Sequence, residues 1–517
     1  MPQLETDYLI IGAGASGLAF ADTLLDEAPD AHITLVDRHG KPGGHWNDAY
    51  SFVNLHQPSA FYGVNSLPLG ANRKDTVGAN AGFYELASGP EVAGYFNTVM
   101  NQRLLPSGRV AYHPMSDWQG GVDDAGGRIV SILSGAETAV TVRRKVVNAA
   151  YASPRVPSTH KPKFTLADGV RLVPPNALVQ LWHSPAPRPT QFVIVGAGKT
   201  AMDVGVWLLN SGAPAEAIQW VMPRDSWLIN RATTQPGMEF FHQSIGGQAA
   251  QMEALAQATS VQDLFLRLEA AQQMFRIYPD QVPTMFHYAT ISQGEVALLR
   301  QITRVIRLGH LRALEPAQMV LAQGTVPVAP GTLFIDCTAS AVEPRPIQPI
   351  FQDGQIVLQL VRAPLPTFSA ALTAFVEAHY PDDATKLAEL HLEALELGRR
   401  RGGRSRVAAT FLGVVELDLR DCDAVRRGPF EAADVAVLAA EHARRLEREL
   451  AVARELLAQQ VALHLRVLVR VDRRVERLAR GDHVRLAVRR EERDRLLGEP
   501  AFGERGGELR LEPLHGH

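Results

Sequence analysis

The chain has 517 residues, with 52 basic and 55 acidic side chains and a formal net charge of −3. This near-neutral balance gives no electrostatic footprint for nucleic acid. Two cysteines, Cys337 and Cys422, exclude a disulfide framework and a Cys-x-x-Cys redox pair. The first predicted strand starts close to the N-terminus, so no signal peptide is expected, and no apolar run is long enough to cross a bilayer. We therefore predict a cytoplasmic protein of two or three domains without a membrane or nucleic-acid partner.

A glycine-rich turn near the start predicts a first dinucleotide site. Residues 12–17 read Gly-Ala-Gly-Ala-Ser-Gly, after the apolar run 8–11 and before a helix-like stretch. Such glycines let the chain turn tightly and approach a pyrophosphate, which the helix N-terminus binds through backbone N–H groups. Asp37 closes the next predicted strand, where a carboxylate can accept hydrogen bonds from an unphosphorylated ribose. This suits the adenosine half of FAD, and the residues predicted to bind it are Gly12, Gly14, Ser16, Gly17, Asp37 and Arg38.

A second glycine-rich turn in the middle of the chain predicts a second dinucleotide site. Residues 196–201 read Gly-Ala-Gly-Lys-Thr-Ala, after the apolar run 192–195 and before a helix-like stretch. The next predicted strand leads to Arg224, and a guanidinium at this place can pair with a 2′-phosphate. NADPH is therefore favoured over NADH, although the neighbouring Asp225 keeps the preference moderate. The residues predicted to bind NADPH are Gly196, Gly198, Lys199, Thr200, Arg224 and Arg231.

Two such turns in one chain carry more weight than one. A single Gly-x-Gly-x-x-Gly string is often only a tight turn, and an arginine after a strand is often only solvated. Two turns, each between a strand and a helix and each with a candidate ribose or phosphate ligand about 20 residues further on, indicate two dinucleotides. Two dinucleotides in one protein indicate electron transfer between them.

The order of these motifs resembles that of the two-dinucleotide-binding flavoproteins, which are FAD/NAD(P)-binding oxidoreductases related to flavin-containing and Baeyer–Villiger monooxygenases. Residues 43–46, Gly-Gly-His-Trp, match an element that lies along the flavin in that family. Residues 146–150 are similar to its linker strand, and residues 333–340 to its return strand, whose acidic residue contacts FAD. The resemblance covers about residues 5–380, and it adds Gly44, His45, Trp46 and Asp336 to the residues predicted to bind FAD.

The resemblance implies an α/β fold, in which an NAD(P)-binding Rossmann-like domain is inserted into an FAD-binding Rossmann-like domain. The expected domains are the FAD-binding domain at 1–155 and 331–398, the insert at 190–330 and an Arg-rich tail at 399–517. Apolar spacing further predicts a helix over 248–276, a strand at 357–361 and a helix over 369–379.

The loop after the flavin-loop tryptophan supplies the candidate catalytic residues. By the resemblance, residues 50–59 border the flavin ring, so Asn54, His56 and Gln57 are candidates for hydrogen bonds to it. Polar residues at such positions often only stabilise the loop. Residues 157–164 do not match the monooxygenase fingerprint, and the Ala-Thr-Gly of the family linker is Ala-Ala-Tyr at 149–151. These departures leave the binding of FAD and NADPH in place and the type of reaction open.

We therefore expect an FAD-dependent oxidoreductase that uses NADPH to reduce its flavin. If the resemblance extends to the reaction with O2, the enzyme is a monooxygenase of a small organic substrate. Two alternatives are an NAD(P)H-dependent reductase or oxidase without oxygenation, and a non-catalytic FAD-binding protein. No Ser-His-Asp, metal-ligand or paired-carboxylate pattern stands out, so the flavin is expected to carry the chemistry.

The tail differs in composition from the rest of the chain. Residues 399–517 contain no Lys, Ile, Asn, Met, Trp or Tyr, although the preceding residues use all six types. Five of the six have codons that begin with two A or T bases, and a GC-rich gene read in a shifted frame loses such codons. We interpret the tail as a frameshifted or otherwise non-native extension. The alternative is a genuine Arg/Glu-rich helical appendage, which residues 432–460 favour and the strand-like alternation over 461–471 disfavours.

Overall fold

The two predicted α/β units form two separate sheets with parallel strands at their centres. The structure is a computed structural model that describes residues 2–389, except 122–125, 153, 341–344, 347 and 363, together with 417–418. All of these residues belong to one unit, Met1–Leu450. Within these described ranges, no helix has both the length and the apolar character needed to span a membrane.

The strands in chain order are β1 (Gln3–Ile11), β2 (Ile33–Val36), β3 (Val110–His113), β4 (Ser116–Gly120), β5 (Gly126–Ser131), β6 (Glu137–Asn148), β7 (Thr165–Leu166), β8 (Arg171–Val173), β9 (Phe192–Val195), β10 (Ile218–Val221), β11 (Ser226–Asn230), β12 (Met274–Phe275), β13 (Met285–Ile291), β14 (Arg304–Ile306), β15 (Leu311–Leu314), β16 (Gln318–Leu321), β17 (Gly324–Pro327), β18 (Leu333–Asp336), β19 (Phe351–Gln352), β20 (Gln355–Val357) and β21 (Leu417–Asp418). The α-helices are α1 (Ala15–Glu27), α2 (Gly89–Thr98), α3 (Leu178–His183), α4 (Lys199–Asn210), α5 (Phe241–Gln257), α6 (Val261–Ala270), α7 (Gln293–Leu299), α8 (Pro366–His379) and α9 (Asp383–Glu389).

The first sheet has the order β19-β20-β6-β1-β2-β3, and β4 and β5 extend it beside β6. β1 runs parallel to both β2 and β6. Leu9 and Ile10 are completely buried because helices and strands cover both faces of β1, which explains why this run is continuously apolar rather than alternating. Helix α1 packs against α8 on this sheet, so the chain before and after the insert shares one core.

The second sheet has the order β14-β10-β9-β18-β8, with β9 parallel to β10 and β18. The α/β fold class predicted from the sequence is confirmed by these two sheets. One placement differs: β18 was expected as the return strand of the first domain, but it pairs with β8 and β9 in the second sheet. The chain returns to the first sheet only at β19 and β20, where β20 pairs with β6.

Three later predictions changed in their boundaries. The stretch 248–276 holds two helices rather than one, because Ala258 is extended (ψ 134°) and Ser260 caps α6 by accepting a hydrogen bond from the Asp263 N–H. The helix over 369–379 is confirmed and begins earlier, with Pro366 in its first turn. The strand expected at 357–361 ends at Val357. The interpretation of the tail at 399–517 lies outside the described residues, apart from the two-residue strand β21.

Candidate functional site

The first glycine turn joins β1 to α1 as the sequence predicts. The Gly12 N–H donates to the Val36 carbonyl at 2.8 Å, and Gly12 has a φ of +104° that favours glycine. A Cβ atom on Gly17 would lie 2.0 Å from the Gly12 carbonyl oxygen, so only glycine allows this close approach of helix and strand. Helix α1 therefore begins directly at the turn, with Gly14 as its N-cap and Ser16 half-buried in its first turn.

Asp37 lies at the turn and is held by backbone groups. Its Oδ2 accepts a hydrogen bond from the Ala13 N–H at 2.6 Å, and its Oδ1 accepts one from the His39 N–H at 2.7 Å. The side chain is only 6% exposed. Arg38 points elsewhere: its guanidinium makes two hydrogen bonds to Asp117, and its side chain is 75% exposed.

His39 connects Asp37 to the predicted flavin loop. Its Nδ1 lies 2.9 Å from Asp37 Oδ1, and its Nε2 lies 2.8 Å from Asp48 Oδ2. Burial opposes protonation of this ring, but the hydrogen bonds to Asp48 and Asp37 outweigh it and raise the pKa of His39. The imidazole is therefore stabilised in its charged form between two carboxylates.

The Gly-Gly-His-Trp element lies against the first turn. The Gly43 N–H donates to the Ala13 carbonyl at 2.8 Å, and a Cβ on Gly14 would come within 3.4 Å of Gly44 Cα. Trp46 Nε1 donates to the Tyr62 hydroxyl at 2.8 Å. Burial lowers the pKa of His45 to about 4, so this ring is neutral at physiological pH.

The second glycine turn joins β9 to α4. The backbone packs closely against Gly196, whereas the space beside Gly198 is open. A Cβ on Gly196 would lie 2.6 Å from the Cys337 carbonyl oxygen, so the fold itself requires glycine there. Gly198 is different, because its φ of −85° suits any residue and a Cβ on it would meet no described atom within 4 Å. Nothing in the packing of the described residues requires a glycine at Gly198, whereas a pyrophosphate approaching the start of α4 does.

Two groups thus fit the predicted cofactors. The open side of Gly198 leaves room for the pyrophosphate of a nicotinamide dinucleotide. At the first site, the hydroxyl of Tyr112 on β3 is buried without a hydrogen-bond partner among the described residues, and burial together with the charge of Asp37 raises its pKa. A buried hydroxyl beside Asp37, the carboxylate predicted to bind the ribose, is a group that the adenosine half of FAD can satisfy.

A cluster of buried charges surrounds the start of α4. Lys199 binds Asp203 one turn along the helix, and its Nζ lies 3.2 Å from Glu295 Oε1. Glu295 Oε2 lies 2.7 Å from Nη1 of Arg231, which is only 2% exposed. The Tyr50 hydroxyl donates to Asp203 Oδ2 at 2.7 Å and also contacts Thr200. We call these residues, Tyr50, Lys199, Asp203, Arg231 and Glu295, the buried ion-pair cluster.

The cluster controls the protonation of the groups in and beside it. Burial opposes ionisation of Glu295, but the charges of Lys199 and Arg231 outweigh it and lower its pKa to about 2. For His56, burial and the positive charge of Lys199 lower the pKa to about 4, so the ring is neutral. Arg231 Nε is a buried donor without an acceptor among the described residues.

The three predicted catalytic residues lie in different environments, and their catalytic role stays a prediction. His56 lies in the field of the cluster, and Gln57 is buried. Asn54 is exposed, and its backbone forms an isolated bridge with Ser88.

The predicted ligand Asp336 lies beside the second glycine turn rather than the first. It ends β18, and the next backbone N–H, that of Cys337, donates to the Val195 carbonyl at 2.9 Å. Its Oδ1 accepts hydrogen bonds from the Thr338 N–H and hydroxyl. The side chain stabilises the turn after β18 in the second sheet, and the expectation that Asp336 contacts FAD stays a prediction.

Sequence reasoning missed several residues of the cluster. The spacing of Lys199 and Asp203 is that of an i,i+4 helix pair, and Ser292-x-x-Glu295 is a capping box, in which Glu295 Oε2 accepts from the Ser292 N–H. Both local patterns were readable. That Lys199 and Glu295 meet across 96 positions of sequence follows only from the packing of α4 beside α7.

Comparison with known proteins places the chain in a family. A family model described as an NAD(P)-binding Rossmann-like domain matches residues 10–69, which hold the first turn. The uncharacterized protein Rv2000 of Mycobacterium tuberculosis (strain ATCC 25618 / H37Rv) is 48% identical over 383 residues, 74% of this chain and 69% of the relative. The FAD-containing monooxygenase EthA of Mycolicibacterium smegmatis (strain ATCC 700084 / mc(2)155) is 25% identical over 214 residues, 40% of this chain and 39% of the relative. The open crystal structure of cyclohexanone monooxygenase is 13% identical, with a TM-score of 0.49, and the match covers 88% of this chain and 98% of that one.

The chain belongs to one family with Rv2000. The match of residues 10–69 to an NAD(P)-binding Rossmann-like domain and the partial match to an FAD-containing monooxygenase agree with the similarity to the two-dinucleotide-binding flavoproteins, the FAD/NAD(P)-binding oxidoreductases related to flavin-containing and Baeyer–Villiger monooxygenases. The resemblance read from the sequence is thereby confirmed. The prediction of FAD and a nicotinamide dinucleotide as the cofactors is confirmed at the level of the family.

Proposed function

We propose that the protein uses NADPH to reduce its FAD and then uses O2 to oxygenate a small organic substrate. The observation that carries this proposal is the hydrogen bond from Tyr50, in the loop after the flavin-loop tryptophan, to Asp203 on the helix of the second turn. This contact brings the loop of the first site to the start of α4. Hydride transfer between two bound dinucleotides needs such proximity.

The chain supplies binding, orientation and exclusion of water. The first turn and Asp37 hold the adenosine half of FAD, and the second turn with Arg224 holds NADPH. Bound FAD supplies the redox chemistry. The buried ion-pair cluster fixes the loop that carries His56 and Gln57 and excludes water from it. The neutral His56 imidazole can donate one hydrogen bond and accept another next to the reacting centre.

Rapid mixing without substrate tests the proposal and separates it from its alternatives. Under anaerobic conditions NADPH should bleach the flavin absorbance of the holoenzyme. On mixing with O2, a monooxygenase should return to the oxidised spectrum slowly and release H2O2 slowly. Immediate reoxidation with one H2O2 per NADPH would instead indicate a reductase or oxidase. If NADPH leaves the flavin oxidised, the protein is a non-catalytic FAD-binding protein.

A further inference from the structure

Asp225 follows strand β10 of the second sheet, and its carboxylate is bound by Arg307, which follows strand β14 of that sheet. Arg307 Nε lies 2.7 Å from Asp225 Oδ2, and Nη2 lies 3.0 Å from Oδ1, so both carboxylate oxygens are engaged. The guanidinium lies 5.0 Å from the ring centroid of Tyr278, whose hydroxyl donates to the Ile302 carbonyl at 2.7 Å. The two hydrogen bonds to Asp225 and the contact with the Tyr278 ring therefore fix the orientation of the Arg307 guanidinium.

The pair of Asp225 and Arg307 lies at the carboxyl edge of the second sheet. β10 and β14 are parallel neighbours with Val221 opposite Ile306, and the Met222 N–H donates to the Ile306 carbonyl. Arg224 and Asp225 follow β10, and Arg307 follows β14, so all three lie at the carboxyl edge of the sheet where the second glycine turn also lies. In this topology the adenosine ribose of a bound dinucleotide reaches the end of β10.

The charges at this edge affect whether a dinucleotide with a 2′-hydroxyl or one with a 2′-phosphate on the adenosine ribose binds more tightly. Arg224 and Asp225 together are neutral, and an uncompensated carboxylate disfavours a 2′-phosphate with a charge of about −1.5 to −2. Arg307 compensates the charge of Asp225 and keeps both of its carboxylate oxygens turned toward the guanidinium.

We propose that Arg307 sets the preference for NADPH by neutralising and orienting Asp225. Arg307 is a positioning residue in this assignment, since it acts through the carboxylate that would otherwise repel the 2′-phosphate. The inference rests on the proposed use of NADPH and names a residue that the sequence does not reveal, because Arg307 lies 82 positions from Asp225.

Equilibrium binding of NADP+ and NAD+ to the oxidised, FAD-loaded full chain tests the inference without relying on turnover. The two ligands differ only in the 2′-phosphate, so the ratio of their Kd values isolates it. Arg307→Ala should lower the preference for NADP+ by about tenfold to a hundredfold, the range expected for a charged pair. The double variant Arg307→Ala with Asp225→Asn should restore the preference, because the repelling charge is then gone.

A matched arginine controls for loss of packing. Arg276 binds Glu269 with two hydrogen bonds and lies 5.2 Å from the ring centroid of Trp227. It follows β12, which pairs with β11 in a separate sheet of the order β12-β11-β13-β21. Arg276→Ala should leave the ratio of the two Kd values unchanged. If the wild type prefers NADP+ and Arg307→Ala keeps that preference, or if Asp225→Asn fails to rescue it, the inference is wrong. If the wild type itself shows no preference, the proposed use of NADPH is wrong.

Discussion

At the scale of single residues, compensated buried charge is the main feature of the site. Lys199, Asp203, Arg231 and Glu295 carry two positive and two negative charges, so the cluster is neutral as a whole. Charges taken out of water are stable only when paired in this way. The removal of one partner therefore leaves an uncompensated charge rather than a lost contact.

Glu295→Gln should lower the free energy of unfolding by about 3–5 kcal/mol, because Arg231 would lose the carboxylate that pairs with it and Lys199 would keep only Asp203. Urea denaturation at neutral pH measures the change. Glu137→Gln is the control, since Glu137 pairs with Arg128 at 3.6 Å on the surface, and its loss should cost less than about 1 kcal/mol. Equal losses in the two variants would contradict the assignment of the cluster as a buried pair network.

His39 gives the fold a pH dependence whose sign follows from its raised pKa. Its contribution to stability is complete below the unfolded pKa of 6.5 and is lost as the pH rises through the higher pKa of the folded state. The wild type should therefore lose stability relative to His39→Gln as the pH increases from below 6.5. Denaturation at a series of pH values tests this, and two parallel curves would show that the bridge between Asp37 and Asp48 is not coupled to folding.

Arg224→Ala should raise the KM for NADPH by a factor that corresponds to about 1.5–3 kcal/mol, the range for a hydrogen bond to a charged group. The KM for NADH should change much less, because NADH has no 2′-phosphate. Steady-state kinetics with both cofactors provide the measurement. Equal increases for both would mean that Arg224 has another role.

At the scale of elements, the glycines of the two turns fall into those that the fold requires and those that it does not require. Gly17 and Gly196 are required by backbone contacts. Gly14 and Gly198 both have a φ of −85°, which any residue can adopt. A Cβ on Gly14 would face Gly44, and a Cβ on Gly198 would meet no described atom within 4 Å. Gly17 and Gly196 are therefore needed for folding, and Gly14 and Gly198 are predicted to leave room for the pyrophosphates.

Substitutions in these positions should separate folding from binding. Gly14→Val should abolish FAD retention and Gly198→Val should abolish NADPH binding, each in a chain that still folds, because the added side chains occupy the expected pyrophosphate positions. Gly17→Val should prevent folding, since its Cβ would lie 2.0 Å from the Gly12 carbonyl oxygen. Flavin content and circular dichroism of the purified variants distinguish these results. Full FAD occupancy in Gly14→Val would falsify the assignment of the first turn.

At the scale of the whole molecule, both glycine turns, the two sheets that carry them and the helices α1 and α8 precede the tail, of which β21 pairs with β13. Helix α8 ends at His379 and packs on α1, the helix of the first turn. A chain that ends at Leu397 should therefore bind FAD and accept hydride from NADPH as the full chain does. Flavin content and anaerobic reduction measure this. If truncation at Leu397 abolishes flavin binding and resequencing of the gene confirms the reading frame, the tail is a genuine domain.

The sequence by itself determined the parts of the protein that depend on neighbours along the chain. Both glycine turns, the strands before them and Asp37 were readable, because a strand, a turn and a helix N-terminus are set by local residue types and spacing. The pair of dinucleotide cofactors followed from finding the motif twice, and the α/β class followed from the resemblance to the two-dinucleotide-binding flavoproteins.

Only the tertiary structure decided which strand joins which sheet and which charges meet. β18 reads as an apolar strand that ends in a carboxylate, which suits either sheet, and its pairing with β9 is a long-range choice. Arg307 with Asp225, and Glu295 with Lys199 and Arg231, come together because parallel strands end at one edge and α7 packs beside α4. Local periodicity holds no information on such distant pairs, since they are selected by burial and by the need of each buried charge for a partner.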